Sequence, residues 1–452
     1  MEKTRGNQVD LLHGSIMKSL VIFALPILIS NVFQQMYNTV DTMMVGNILG
    51  ETALAAIGAS SPIYDLLVGF ALGIGGGLSI VTARSYGTGN RELLKRSVAC
   101  AMLIGTTAAL AITVLAQAGA YPLLQLLNTP QEIIGEAKSY ISTITLFTLV
   151  MVAYNLCSGL LQATGNSLAP LIFLMISSVL NIGLDYLFIA KTDMGIRGAA
   201  VATVISQGVS VILCIGYIFR CCQMLVPEKK HFRVDKSLFL EMMEQGLAVA
   251  FMRCIVSAGS VILQYGINGL GYLTIAGHTT ARKIYMFCNM PFTSMASAVS
   301  TFVSQNRGAG QRERIRRAIR SVIIYNIVMA AAVTVFLGFT APALVSWISG
   351  SKETVILENG SEYLRVVAPF YAVLGAVFDL RFALQGLGKK ILPLVSSLIE
   401  FIGKILFVVI LIPHFQYQAV IFCEPAIWCV MAVQLAYSFL TNPYLRGEET
   451  GK

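Results

Sequence analysis

The chain contains 452 residues, of which 56% are hydrophobic and only 12% are charged, and its mean hydropathy is +0.73. Soluble domains carry about 25% charged residues, so this composition excludes an ordinary soluble fold. The net charge is +9, but the basic residues lie between apolar segments, which indicates membrane topology and contact with anionic lipid. We therefore expect the lipid bilayer, and no nucleic acid, as a partner.

Long apolar segments recur along the whole chain, each separated from the next by a short polar break. A bilayer core about 30 Å thick needs roughly 20 apolar residues per helical span, and the segments lack the period-two alternation of a membrane barrel. The sequence predicts an all-α integral membrane protein with twelve transmembrane helices. The predicted spans are 17–46, 52–80, 96–118, 135–163, 168–190, 197–219, 238–268, 273–303, 318–340, 358–386, 391–413 and 417–440.

The basic residues between these segments predict the orientation of the chain. With the N-terminus in the cytoplasm, about 22 lysine and arginine residues fall on the cytoplasmic side, among them Lys3, Arg5 and Lys452, and about five fall on the other side. Cytoplasmic loops of membrane proteins are enriched in these residues. We expect a multi-pass protein of the cell membrane with both termini in the cytoplasm.

The sequence also repeats itself. Gly87–Arg96 reads GTGNRELLKR and Gly308–Arg317 reads GAGQRERIRR, and further on Tyr140 aligns with Tyr363. Six spans per repeat is an even number, so the two halves share one orientation, which is typical of secondary transporters with parallel repeats. This predicts two pseudo-symmetric six-helix lobes with a central cleft. The limits are 1–219 for the N-terminal lobe, 220–237 for a cytoplasmic linker, 238–440 for the C-terminal lobe and 441–452 for a cytoplasmic tail.

Acids inside apolar spans are the informative positions, because a carboxylate within the membrane is costly and is functional by default. Asp41 ends the first span and Asp185 lies in the fifth. Counted from the outer ends of their spans, both acids and Thr203 of the sixth span lie roughly 7–9 Å below the outer surface. Asn181 and Tyr37 each precede one of the acids by four residues, which places each pair on one helix face. These groups are expected to converge at one depth.

The repeat distinguishes a functional cluster from polar packing that holds a lobe together. Asp41 aligns with Ile262 and Asp185 with Val408, so the second half lacks the acids. This asymmetry favours a site for a coupling ion over polar packing. Oxygen ligands suit Na⁺, and desolvation together with a neighbouring like charge favours a bound proton, so both ions fit the same residues.

Pro26 lies midway along the first span. Proline removes a backbone hydrogen bond and favours a kink in a helix. The alternatives are a fixed bend and a hinge that moves when the charge of Asp41 changes.

Other charged residues lie within the predicted spans. We consider Asp65, Arg253, Arg282 and Glu400 as candidates for substrate contact in the cleft. The alternative is a set of structural ion pairs, since Glu400 and Lys404 are four residues apart and are placed to pair on one helix face.

The glycine run from Gly73 to Gly77 has no lysine after it and lies within a span, so it indicates close helix packing instead of a phosphate loop. The cysteines and histidines match no zinc-ligand spacing. No nucleophile triad, HExxH or Walker sequence is present. We expect a protein that is not an enzyme and has no cofactor, with Na⁺ or H⁺ as the coupling ion.

The segment LPILISNVFQQMYNTVDTMMVGNILGETALAAIG (Leu25–Gly58) resembles the multidrug and toxic compound extrusion (MATE) family. The twelve predicted spans, the two lobes and the glycine-basic loops after the second and eighth spans extend the resemblance over nearly the whole chain.

The chain is most similar to the DinF-like branch of that family. This resemblance implies functional acids on the first and fifth helices and bending of the first helix at a proline. It places Asp41, Asn181, Asp185 and Thr203 at the cation-site positions, with Tyr37 and Tyr140 as supporting tyrosines. The other main branch uses acids on the seventh and tenth helices. Here the seventh span has no acid in its core, and Asp379 is too close to Gln385 to match.

The resemblance implies a secondary active multidrug exporter, in which H⁺ or Na⁺ antiport extrudes amphipathic, often cationic, organic compounds by alternating access. Relatives in the wider superfamily flip lipid-linked sugars, so the alternative is a flippase for a lipid-linked or anionic amphipathic substrate. An ion channel fits poorly because no segment resembles a pore loop or a ring of charges. We expect a monomer.

Overall fold

The computed structural model describes residues 8–127, 129–192, 194–233 and 235–448, and the regular structure in these ranges is helical. Lys3, Arg5, Lys452 and the outer ends of the predicted N-terminal lobe and tail lie outside the described residues. The α-helices are α1 (Ile16–Leu49), α2 (Glu51–Gly87), α3 (Arg91–Leu126), α4 (Gln131–Leu146), α5 (Thr148–Ala163), α6 (Leu168–Ala190), α7 (Ile196–Cys221), α8 (Lys236–Asn268), α9 (Tyr272–Gly308), α10 (Arg312–Ser349), α11 (Thr354–Val367), α12 (Tyr371–Gly386), α13 (Ile391–Leu406), α14 (Ile412–Leu440) and α15 (Pro443–Arg446).

All twelve predicted spans overlie these helices, and α6 begins and ends at the predicted residues 168 and 190. Among the described residues, nine helical stretches are long and apolar enough to cross a membrane, or ten if α4 and α5 count together. The predicted span 135–163 consists of two helices, α4 and α5, which meet at a bend of 48°. The number of crossings stays a prediction.

The stretch from Ile391 to Leu440 is 50 residues long. A straight helix of that length would measure about 75 Å, more than twice the thickness of a bilayer core of about 30 Å. The stretch is broken at Gln416, whose φ of 51° is non-helical. This break lies between the predicted spans 391–413 and 417–440, so they are two separate helical segments.

The internal repeat is visible in the backbone of the turns. Gly89 after α2 and Gly310 after α9 have φ angles of 71° and 72°, and Gly195 before α7 has a φ of 57°, close to the 51° of Gln416. Each pair is separated by 221 residues, the offset of the GTGNRELLKR and GAGQRERIRR segments. Glycine is favoured at such positions because the left-handed region is strained for residues with a side chain. The two halves therefore share turn geometry as well as sequence.

The chain forms two compact units. The described part of unit 1 comprises residues 8–10 and 25–253, and that of unit 2 comprises residues 11–24 and 254–448. The division falls inside α1 and inside α8, so each of these two helices contributes to both units. The lobe limits expected from the sequence, 1–219 and 238–440 around a linker at 220–237, stay a prediction.

Within unit 1, one face of α2 packs directly on the backbone of α8. A Cβ atom added to Gly73 would lie 2.4 Å from the Cα of Ala250, and one added to Gly77 would lie 2.6 Å from the carbonyl oxygen of Gln245. These distances leave no room for a side chain. The glycine run therefore serves close helix packing, as the sequence predicts.

We expect Gly77→Ala to destabilise unit 1 by about 1–3 kcal/mol, because the added methyl group forces two helix backbones apart. Thermal unfolding of the purified protein in detergent measures the effect. The matched control is Gly69→Ala in the same helix, where nothing lies within 4 Å of the added Cβ. The control should be neutral or slightly stabilising, since alanine favours a helix over glycine. Equal melting temperatures for the two variants would contradict the packing argument.

The segment between α7 and α8 is anchored on the first turn of α3. Lys95 Nζ donates to Glu228 Oε1 at 2.7 Å, and the buried His231 side chain lies 3.0 Å from Glu92 Oε2. The backbone N–H of Glu228 donates to His231 Nδ1 at 2.8 Å. The hydrogen bond from Lys95, followed by that from Lys230, lowers the pKa of the Glu228 carboxyl below its usual value.

A lowered carboxyl pKa means that the anchoring contribution of Glu228 is fully present above its usual pKa of about 4.3 and is lost as the pH falls through the lowered value. We expect backbone protection factors for residues 229–232 to decrease as the pH is lowered below about 4, as measured by hydrogen–deuterium exchange. Glu228→Gln should remove the part of this decrease that Glu228 causes. The same decrease in the variant would assign the effect to other groups.

Candidate functional site

The two acids predicted to form the site lie on α1 and α6 of unit 1. Asp185 has no exposed surface, and Asp41 is half-buried. The two carboxyl groups are near enough to interact electrostatically. The structure therefore brings together two acids that are far apart in sequence.

Five buried polar atoms of Asp41, Asn181 and Asp185 have no hydrogen-bond partner in the described part of the chain. Both carboxyl oxygens of Asp185, both terminal side-chain atoms of Asn181 and Oδ1 of Asp41 are buried and accept or donate no hydrogen bond there. An unpaired buried polar group costs about 1–3 kcal/mol, and a charged one costs more. Oxygen atoms in this state suit a small cation or a proton, either of which would satisfy them.

Thr203 reaches the same level through the antiparallel packing of α6 and α7. Ser210 Oγ donates to the carbonyl oxygen of Phe173 at 3.0 Å, which fixes the register of the two helices. Thr203 is seven residues before Ser210, and Asn181 is eight residues after Phe173. Because the helices run in opposite directions with an equal rise per residue, Thr203 lies at the level of Asn181.

Tyr37 of α1 has its side chain near those of Gln34 on the same helix and Gln207 on α7. Asp41 follows Tyr37 by one turn, and Thr203 precedes Gln207 by one turn. In the predicted topology these two helices are the first and sixth spans, which run in opposite directions. The Tyr37–Gln207 contact therefore places Asp41 at the level of Thr203.

Two further tyrosines lie beside the acids. Tyr140 of α4, one of the predicted supporting residues, interacts electrostatically with Asp41 and Tyr37. Tyr64 of α2 also interacts electrostatically with Asp41 and Tyr37. The sequence did not predict this residue. Gln34 and Gln207 were also missed, although each lies one turn from a predicted residue on the same helix face. Tyr64 lies on another helix and has no such periodic signal.

Pro26 lies inside α1, and its carbonyl oxygen accepts a hydrogen bond from Ser30 Oγ at 2.8 Å. The division of α1 between the two units falls between Ala24 and Leu25, one residue before the proline. The proline therefore lies at the point where the helix passes from one unit to the other.

Arg282 and Glu400, two candidates for substrate contact, belong to an ion-pair network inside unit 2. Arg282 Nη1 is 2.7 Å from Glu424 Oε2, and Lys404 Nζ is 3.0 Å from Glu400 Oε1 and 3.9 Å from Glu424 Oε1. Arg381 Nη2 lies 3.6 Å from Glu400 Oε2. The predicted pairing of Glu400 with Lys404 is therefore confirmed.

Glu424 was missed by the sequence reasoning, although it is an acid inside the predicted span 417–440 and met the criterion that selected Asp41. The other two candidates for substrate contact, Asp65 on α2 and Arg253 on α8, have exposed side chains.

Among the described residues, no group of three or more His, Cys, Asp or Glu side chains is placed to hold a metal.

Comparison with known proteins places the chain in a family. The MatE family model matches residues 26–187 and 248–410, so the chain belongs to the MatE family of multidrug transporters. It is 26% identical over 408 residues to the "Probable multidrug resistance protein YoeA" of Bacillus subtilis (strain 168), covering 89% of this chain and 88% of that protein.

Two further matches are informative. A protein of Shewanella oneidensis (strain ATCC 700550) described as "FAD transporter" is 24% identical over 394 residues, covering 86% of both chains. A structure described as a MATE in the bent conformation has a TM-score of 0.89 and 21% identity, and the match covers 97% of this chain and 98% of that one. The fold is therefore that of a MATE transporter, embedded in a membrane by several apolar helices.

Proposed function

We propose that this transporter is a cation-coupled antiporter that exports amphipathic organic compounds by alternating access, with H⁺ or Na⁺ as the coupling ion. The ion binds at Asp41, Asn181, Asp185 and Thr203. The observation that carries this proposal is the set of buried side-chain oxygens in unit 1 that have no hydrogen-bond partner among the described residues. The asymmetry of the repeat supports it, because the aligned positions in the second half carry no acids.

The coupling follows from the cost of burying charge. An ionised Asp185 closed off from water is destabilising by several kcal/mol unless a cation or proton compensates it. The ion-bound protein therefore favours the conformation in which the site is closed, and release of the ion favours an open conformation. The transported compound binds preferentially to one of these two states, so that the inward movement of the ion is linked to the outward movement of the compound.

Pro26 serves as the hinge of this transition. It interrupts the hydrogen-bond ladder of α1 next to the point where the helix passes from unit 2 to unit 1. A change in the charge of Asp41, four turns further along the same helix, is thereby able to alter the bend. This role is the one implied by the DinF-like branch, to which we assign the chain.

The same proposal covers location and partners. The excess of basic residues in alternate loops supports a cell-membrane protein with both termini in the cytoplasm. The protein acts as a monomer on small organic compounds and catalyses no covalent reaction. A second candidate is the translocation of an anionic amphipathic compound, which the "FAD transporter" relative and the basic residues of unit 2 favour.

Reconstituted vesicles test the proposal directly. A cationic dye such as ethidium is loaded, and its transport is followed after imposing a proton gradient, a sodium gradient or neither. Transport driven by one gradient and abolished by an ionophore that dissipates it supports antiport and identifies the ion. Transport that proceeds equally without a gradient would overturn the proposal.

A further inference from the structure

One ion-pair network of unit 2 contains unequal numbers of acids and bases. The ion-pair network contains Arg282, Arg381 and Lys404, with only Glu400 and Glu424 to compensate them. Four of the five side chains are at most 12% exposed. Charges at such positions are normally paired because burying an uncompensated one is costly. The network therefore carries one positive charge that no acid within it neutralises.

Neither Asp379 nor His278 forms an ion pair with a cation of the network. Asp379 is two residues from Arg381 on α12 and faces away from it, and it accepts a hydrogen bond from Asn326 on α10. His278 packs edge-on against Tyr363, with ring centroids 5.0 Å apart, and carries no negative charge in either protonation state. Lys283, next to Arg282, is exposed and adds to the positive charge.

Arg282 is the accessible member of the network, with 33% of its side chain exposed. Its Nη1 contacts Glu424 and Tyr363, at 2.7 and 3.1 Å, while its Nη2 and Nε have no protein partner among the described residues. The guanidinium also lies 4.4 Å from the ring centroid of Tyr285, which holds it in place. A guanidinium fixed on one edge and free on the other is suited to bind an oxyanion with two parallel N–H groups.

We infer that Arg282 forms an anion subsite in unit 2, which binds a carboxylate or phosphate group carried by an amphipathic molecule. The subsite deepens the proposed function, because it assigns a negatively charged group to part of the substrate range, and it rests on that function. The remaining positive charge of the network is then compensated only when such a molecule is bound. Lipid headgroups and soluble organic anions share this chemistry.

Equilibrium binding to the full-length protein in phosphatidylcholine nanodiscs tests the inference. The probes are 1-naphthyl phosphate and the matched neutral compound 1-naphthol, measured by isothermal titration calorimetry. We expect the phosphate to bind more tightly than the alcohol, and Arg282→Gln to weaken phosphate binding by about tenfold or more, since a charge-assisted pair is lost. Binding of the alcohol should be unchanged in the variant.

Two controls keep the result interpretable. Lys283→Gln removes the same charge from the adjacent exposed position and should leave both affinities unchanged. Arg282→Gln leaves two cations and two acids in the network, so the fold of this variant is expected to persist. Arg282→Lys keeps the positive charge and should retain part of the phosphate affinity. Weaker binding of both probes in Arg282→Gln, or equal phosphate binding in it and the unmodified protein, would overturn the inference.

A third arm identifies the source of the anion. Phosphatidylglycerol added to the nanodiscs should weaken phosphate binding through Arg282 if a lipid headgroup occupies the subsite, and should have no such effect if the ligand is a soluble organic anion. These measurements need no ion gradient. The inferred subsite can therefore be refuted while gradient-driven transport is intact. Conversely, antiport can be refuted while Arg282 still binds the phosphate.

Discussion

Gradient-driven efflux is expected to fall by at least about tenfold in Asp41→Asn and in Asp185→Asn, because each change removes a charge that attracts the coupling ion and a loss of only about 1.4 kcal/mol is tenfold. The substituted amide has nearly the same volume, so the packing of α1 and α6 is preserved. Dye efflux from vesicles with an imposed ion gradient measures the effect. Ion binding, followed by the thermal stabilisation that Na⁺ or acid pH produces, should be lost in parallel.

The matched control for these two variants is Glu51→Gln, which neutralises an exposed acid in the first turn of α2. Its efflux rate should equal that of the unmodified protein. Efflux by Asp41→Asn at the unmodified rate would refute the assignment of the coupling site. Loss of efflux in Asp41→Asn with unchanged stabilisation by the ion would place the ion elsewhere and leave Asp41 a purely structural role.

The largest effect on stability is expected for Glu424→Ala. The side chain is 8% exposed and compensates both Arg282 and Lys404, at 2.7 and 3.9 Å. Its removal leaves the three cations of the network with the single acid Glu400, and breaking a buried ion pair from one side costs about 3–5 kcal/mol. The melting temperature of the protein in nanodiscs should fall by several degrees or the protein should fail to accumulate.

Two comparisons separate this effect from the loss of an ordinary acid. Glu313→Ala removes an acid that is 63% exposed and paired with Arg316 and Arg317 on the same helix, and it should cost less than about 1 kcal/mol. The double variant Glu424→Gln/Arg282→Gln restores the charge difference of the unmodified network and should recover part of the stability. If Glu424→Ala were no less stable than Glu313→Ala, the network would not be a stabilising element.

Much of the helical architecture was predictable because its causes are local in sequence. Span length follows from the thickness of the bilayer core, and each gap between the predicted spans contains polar or glycine residues. The turn glycines Gly89 and Gly310 matched because the repeat conserves both the residue type and the backbone conformation it permits. The bend between α4 and α5 was not predictable in this way, since the residue at the break is Phe147 and neither proline nor glycine.

The candidate site was predictable only where helical periodicity applies. Asn181 and Asp185 share a face of one helix, and so do Tyr37 and Asp41, so each pair followed from a spacing of four residues. Tyr64 was not found because it approaches the acids from a different helix. Glu424 was missed even though the rule for acids in apolar spans applies to it.

The amino-acid sequence by itself determined that this is a helical membrane protein with a duplicated architecture, because hydrophobic length and repetition do not depend on how the helices are arranged. It also singled out the acids of the first half. Only the tertiary structure decided that Asp41 and Asp185 interact, that their polar atoms lack protein partners, and that Arg282, Glu424, Lys404, Glu400 and Arg381 form one network. Electrostatic interactions depend on distances between side chains on different helices, and those distances are set by helix packing.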